Sequence, residues 1–209
     1  MGKIFNYDSK FFAGMTKVSD TIIINILFVI CSIPIVTIGA SITALYSVSM
    51  KITRDEDIYA AKEFIKQFKQ NFKQSTIIWI ILLVIGLFIG LDFYLYSLMS
   101  DNTISMIFKF IFTIVSVVLA FILIYVFPLT ARFENSIKIT LTISIFMSIQ
   151  HLPYTLVMSV LTFAPILSFI LFSQYWGQIV FFNTCISFGF IAYMNSILLN
   201  KIFSKYIKE

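Results

Sequence analysis

The residues whose types could do chemistry are few, and their spacing is informative. One histidine, His151, and two cysteines, Cys31 and Cys185, each stand alone in apolar surroundings. Metal and nucleophilic sites need such groups in sets: three or four ligands for zinc, or a nucleophile with a base within hydrogen-bond reach. The chain has no second histidine, no cysteine pair at ligand spacing, no paired carboxylates and no glycine-rich phosphate loop. We therefore expect no enzyme activity, no catalytic residue, no cofactor and no metal. Two other constellations stand out. Pro34, Thr37, Gly39, Ser41 and Thr43 crowd one short stretch, and with Asn195 they offer hydroxyls and an amide to a polar solute. Lys62, Lys66, Lys69 and Lys73, with Arg132 and Glu134 further on, offer a charged surface to a partner or to anionic lipid headgroups.

The elements that position these residues follow from composition. Of 209 residues, 59% are hydrophobic and 12% charged, and mean hydropathy is +0.96. Soluble domains carry roughly a quarter charged residues. That deficit excludes a soluble enzyme, a secreted disulfide scaffold and a disordered chain. Charges are absent from Thr21–Met50, Gln74–Leu91, Phe110–Ala131 and Ile139–Asn200. A helix needs about 20 apolar residues to cross a hydrocarbon core about 30 Å thick. Only helices or a closed barrel satisfy the backbone in lipid. The expected fold is all-α: one polytopic helical membrane domain over residues 1–209, with full spans at 75–98, 105–128, 153–172 and 178–199. Ser173–Gly177 makes the turn between the last two, and Pro165 should kink the third.

Residues 21–50 fit a broken, re-entrant hairpin. Pro34 should stop a helix and Gly39 should permit the change of direction, leaving limbs of about 13 residues, roughly 20 Å each. The alternative is a single crossing, which gives five spans and an outside N-terminus. The 51–74 loop holds Lys51, Arg54, Lys62, Lys66, Lys69 and Lys73; the 129–138 loop holds Arg132 and Lys138; the C-terminus holds Lys201, Lys205 and Lys208. Short basic loops stay in the cytoplasm, which puts the C-terminus there. The 99–104 loop, with Asp101, should face out. No cleavable signal peptide is expected. The positive net charge fits this topology better than nucleic-acid binding.

Three stretches carry further expectations. Ile58–Lys73 reads as a basic amphipathic helix in the cytoplasmic loop 51–74, lying along the inner membrane surface with phenylalanines toward lipid. Ile137–Ile149 alternates apolar and polar residues as a strand would. An unpaired strand near lipid leaves its backbone unsatisfied, so an amphipathic helix over 137–151 is expected instead. Glu134 and Lys138, four apart, should pair on a helix. Asp92 should sit near the outer interface, Asn25, Asn183 and Asn195 should bond between helices, and His151 should be an interfacial polar residue.

The run from Asn25 through Cys31-Ser-Ile-Pro-Ile-Val-Thr-Ile-Gly-Ala-Ser41 to Thr43-Ala-Leu-Tyr46 resembles the YesL family (DUF624) of bacterial membrane proteins. Glu63-Phe64, Asn71-Phe72-Lys73-Gln74, Phe127-Pro-Leu-Thr-Ala-Arg-Phe-Glu-Asn135 and Leu152-Pro153 extend the likeness from Phe11 to about Lys205. Tyr154 departs from it, where a basic residue is expected. The family has no assigned biochemical activity, and its members are often encoded beside carbohydrate-uptake permeases and glycan-degrading enzymes. The resemblance therefore implies an accessory or a component of carbohydrate-linked transport in the cell membrane, with permease or ATPase subunits as partners. The alternative is a small solute-binding subunit or stand-alone transporter, with a pocket of hairpin and last-helix residues.

Overall fold

The computed structural model describes residues 10–98 and 103–206, and they are helical almost throughout. The expected outer loop with Asp101 lies largely outside the described residues. Eight α-helices follow in order: α1 Lys10–Cys31, α2 Ile38–Ile52, α3 Ala60–Leu98, α4 Thr103–Arg132, α5 Ile137–Gln150, α6 Leu152–Leu171, α7 Trp176–Phe182 and α8 Phe188–Phe203. A π-turn over Asn183–Ser187 joins α7 to α8. Among the described residues, six segments are long and apolar enough to cross a membrane: Phe12–Cys31, Ile35–Ile52, Ala60–Tyr96, Ser105–Arg132, Leu152–Leu171 and Trp176–Phe203. The molecule is an all-α, polytopic membrane protein.

Two helices, α1 and α2, meet at the Pro34 turn. Each limb is long and apolar enough to be a candidate span in its own right, rather than the short re-entrant limb expected. Pro34 is extended (φ −76°, ψ 123°) and, lacking an N–H, ends α1's run just before it. After the turn, Lys17 near the start of α1 pairs with Asp55 just past the end of α2, so the limbs run antiparallel. Residues 21–50 are thus not one continuous helix. Gly39 is not the turn residue expected. It sits inside α2 with no positive φ, and its missing side chain serves packing. A Cβ there would stand 2.6 Å from the Ser75 carbonyl oxygen.

Helix α2 is the centre of the bundle. Ala44, Leu45, Val48 and Met50 pack with Ile24 and Phe28 of α1, Tyr125 and Leu129 of α4, Met158 of α6, and Leu199, Ile202 and Phe203 near the C-terminus. A second cluster, Ile78, Leu82, Val126 and Phe127, joins α3 to α4. The outer faces of α1, α3, α4 and α6 expose Ile, Leu, Val and Phe along their length. Such surface is the solvated face when the solvent is lipid.

The basic loop helix and the first expected full span are one 39-residue helix, α3. Nothing between Lys73 and Ser75 breaks it, because Gln and Ser there cost little helix propensity. Of its phenylalanines, Phe72 stays exposed, whereas Phe64 and Phe68 turn inward. Phe64 is fully buried in the α2 cluster and Phe68 packs against it, while Lys62, Lys66, Lys69 and Lys73 stay exposed. Helix α2 takes the apolar face that the isolated sequence leaves to the membrane.

The alternating stretch is helical, as α5. Its buried side is Thr140, Ser144, Met147 and Ser148, and its exposed side includes Ile139, Ile145, Phe146 and Ile149. Small hydroxyls face protein, where they bond back to Ser136, Thr140 and Ile145 carbonyls. Small residues let neighbouring helices approach, and isoleucines meet lipid without cost. Helix α4 runs on to Arg132, past the expected end at Pro128, and α6 continues through Pro165.

Candidate functional site

The polar hairpin residues are spent on the fold. Thr37 Oγ1 donates to the Cys31 carbonyl at 2.6 Å, closing the turn, and Ser41 Oγ donates to the Thr37 carbonyl at 3.0 Å. Thr43 Oγ1 bonds Ser75 Oγ at 2.8 Å, tying α2 to α3. Trp79 Nε1 donates to the Ile35 carbonyl at 2.8 Å, anchoring the turn to α3. Asn195 lies apart from these groups, donating to Tyr46 at 3.1 Å and Thr162 at 3.0 Å. Ser41, Thr43 and Asn195 are wholly buried. Neither the groove at α6–α8 nor the cavity at the end of α2 is lined by Pro34, Thr37, Gly39, Ser41, Thr43 or Asn195.

A wide groove of about 1110 Å³ lies between α6 and the α7–α8 segment. Pro165, Phe181, Phe182, Ile186 and Phe190 line it, with Ser168, Gln178, Asn183 and Ser187 as its side-chain polar groups and no charge. Its chemistry suits acyl chains better than a hydrated solute, whose polar groups would lose water without replacement.

The charged residues converge elsewhere, on one end of the bundle. Lys51 Nζ donates to Glu63 at 2.6 Å, and Glu63 also accepts from Gln67 at 2.9 Å. Arg54 reaches Glu56 through Nε at 2.7 Å and Asn200 through Nη1 at 3.1 Å. Asn200 in turn donates to the Met50 carbonyl at 3.0 Å and to Thr53 at 2.7 Å, fixing α8 to the end of α2. Gln74 donates to the Asn135 carbonyl at 2.8 Å, latching α3 to the link after α4. These bonds enclose a polar cavity of about 560 Å³. Lys51 and Arg54, the amides Gln67, Gln70, Asn71 and Gln74, and Arg132 and Glu134 line it.

Of the expected docking residues, Arg132 and Glu134 thus line a cavity with the 51–74 segment. Lys62 and Lys66 remain on the outside of α3, and Lys66 lies 4.0 Å from Glu63. Lys73 borders a neighbouring groove with Lys138. Glu134 does not form the expected helical pair with Lys138, because Glu134 sits in the non-helical 133–136 link before α5 begins. The amides of this cavity drew no attention in the sequence. Their spacing, Gln67, Gln70, Asn71 and Gln74, does place them on one helical face.

His151 lies at the same end, buried, with Nε2 2.9 Å from Tyr206 Oη. Burial, then the field of Lys205, hold its imidazole below the ordinary histidine range. Tyr154, where the family resemblance calls for a basic residue, has Lys201 Nζ 5.9 Å from its ring centroid. A cation thus returns to that position from α8.

Asn25 and Asn195 bond between helices. Asn25 Nδ2 donates to the Thr184 carbonyl at 2.7 Å and its Oδ1 accepts from the Gly189 N–H at 2.8 Å. Asp92 is half-buried on α3, and nearby Tyr96 stacks on Phe108 of α4 at 5.4 Å.

Fold and polar end together define a multi-pass helical membrane protein with one charged face. Residues 21–93, about a third of the chain, match a family model described as "Protein of unknown function, DUF624". The match runs from α1 through α2 into the apolar half of α3. No curated protein and no solved structure matches the chain.

Proposed function

We propose that the chain is a YesL (DUF624) protein over its whole length and acts without catalysis, as an accessory or a component of carbohydrate-linked transport. Its charged end and C-terminus face the cytoplasm. The observation that carries this reading is the division of polar groups. Ser41, Thr43 and Asn195 are buried, with Thr43 and Asn195 bonded to neighbouring helices and Ser41 to the turn before it, whereas Arg54, Arg132 and the α3 lysines are arrayed at one end. Groups at that end are available to a partner; groups in the middle are not.

The carbohydrate link comes from the family resemblance. Orientation rests on the rule that short loops rich in Lys and Arg stay inside. Exposed Lys62, Lys66, Lys69 and Lys73 would meet either anionic headgroups or a permease or ATPase subunit. The alternative, a solute-binding subunit or stand-alone transporter with its pocket at the hairpin and last helices, has less support, because Ser41, Thr43 and Asn195 are wholly buried and hydrogen-bonded.

Crosslinking and mass spectrometry in native membranes test the reading. A permease or ATPase subunit should crosslink to residues 60–73 or 132–138. Changing Lys62, Lys66, Lys69 and Lys73 to Gln should abolish that link and leave membrane insertion intact. Recovery of no transport subunit would overturn the accessory role.

A further inference from the structure

The cavity between α2, α3 and the end of α4 holds a positive charge that the fold does not use. Lys51 is held by Glu63, and Arg54 by Glu56 and Asn200. Arg132 lines the same cavity, half-buried, and among the described residues its guanidinium makes no hydrogen bond and no ion pair. Arg54 and Glu56 are the charged groups whose fields reach it. Glu134, the acid in the lining, is exposed at the rim. Gln70, also without a hydrogen-bond partner among the described residues, stands beside Asn71 and Gln74 on the facing wall.

The cavity opens in an informative direction. A second groove of about 550 Å³ shares Gln70 and Gln74 with it and adds Lys73, Lys138, Ile77 and Ile137. The path therefore runs from two isoleucines, past two lysines, over the Gln74–Asn135 latch, to Arg132. Apolar, then cationic, then guanidinium and amide is the order that an amphiphilic anion meets when it enters from a membrane interface.

We propose that this groove binds a phosphate-bearing ligand, its phosphate on Arg132 and the Gln70 amide and its remainder toward Lys73 and Lys138. A guanidinium offers a planar fork that matches phosphate oxygens, and the Gln70 amide, with the N–H of Gln74 that Asn135 does not take, can donate to those left over. The volume falls within the range of about 300–1,000 Å³ common for small-ligand sites, several times what a bare phosphate fills. The same chemistry arises from two sources, an anionic phospholipid headgroup or a soluble phosphate ester. The inference goes beyond the accessory role and does not depend on it, since it needs no protein partner.

The test uses the full chain in phosphate-free maltoside micelles, titrated in a calorimeter. One arm uses dihexanoyl phosphatidylglycerol; the other uses glycerol 3-phosphate. Saturable binding in the first arm alone supports a lipid source, and binding in both supports a soluble ester. In either case Arg132→Gln should weaken binding at least about tenfold, in line with loss of a charge-assisted bond. Lys73→Gln with Lys138→Gln, both at exposed positions, should weaken it several-fold, and Lys62→Gln, on the outer face of α3, should leave it unchanged. Should Arg132→Gln fail to fold, the lysine pair carries the test. No saturable heat in either arm, or equal affinity in Arg132→Gln and wild type, overturns the proposal.

Discussion

Asn25 of α1 reaches into the backbone of the last span and holds Gly189. Its Oδ1 accepts the Gly189 N–H at 2.8 Å while its Nδ2 donates to the Thr184 carbonyl at 2.7 Å. Residues 184 and 189 are five apart, the pair that one π-helical bond would join, and the π-turn Asn183–Ser187 lies there. The side chain thus stands in for a missing rung of the helix ladder. Gly189 makes room for it: a Cβ there would sit 2.7 Å from the Thr21 carbonyl oxygen and 2.9 Å from Asn25 Cβ.

Asn25→Ala removes both bonds and leaves a buried N–H and carbonyl without their partner. The expected loss is about 1–3 kcal/mol, the cost of unsatisfied buried groups. Reversible unfolding in detergent–denaturant mixtures measures it. A loss below half of that would show the π-turn re-pairing on its own.

Gly39→Ala should destabilise through overpacking, by about 1–3 kcal/mol. The clash falls on the Ser75 carbonyl, which is backbone and cannot rotate away, and on Trp79 Cβ. Trp79 emission should shift in the same variant, since its indole N–H holds the Ile35 carbonyl at the turn. Unchanged stability would mean that α2 and α3 separate freely.

The Thr43–Ser75 bond is a coupling between helices that a double-mutant cycle reads directly. With Thr43→Val and Ser75→Ala, the interaction should come out near the 0.6 kcal/mol average for hydrogen bonds between membrane helices, or about twice that. Additive single effects would show that the two hydroxyls find other partners.

His151 gives a pH dependence whose sign follows from its burial. Burial first, and Lys205 second, depress the folded-state pKa. An unfolded imidazole titrates near 6.5, so as pH falls through that value the unfolded chain binds the proton first. Stability is then full above about 6.5 and declines on acidification until the folded pKa is passed. The neutral ring also shares a hydrogen bond with Tyr206 Oη, 2.9 Å from its Nε2. His151→Gln should flatten the profile between pH 7 and 5; an unchanged slope would assign it elsewhere.

The pairing of Lys17 with Asp55 predicts that the two ends of the hairpin share a compartment. Lys17→Cys with Asp55→Cys should be joined in membranes by a short bifunctional maleimide crosslinker that spans the length of the lost lysine side chain. Labels placed near residue 10 and residue 206 should react from the same side, since the six candidate spans are even in number. Opposite sides would refute the folded-back hairpin.

Much was decided before any two helices met. Hydropathy sums transfer free energies residue by residue, so the helical membrane class and the four apolar runs near 75–98, 105–128, 153–172 and 178–199 were legible without neighbours. Helix over the alternating 137–149 stretch was legible too, because a lone strand near lipid strands its backbone. What a residue faces is a different kind of quantity. Whether Phe64 turns to lipid or to α2, whether Gly39 bends the chain or lets Trp79 approach, and whether Thr43 lines a pocket or bonds Ser75 depend on what packs opposite. The same holds for the cavity at Arg132, assembled from residues on three helices whose amides and guanidinium carry no signal until α2, α3 and α4 bring them together. In lipid, helices gain nothing simply by burying apolar surface against one another, so close packing and hydrogen bonds choose the partners. Those terms exist only between elements, and the tertiary structure alone contains them.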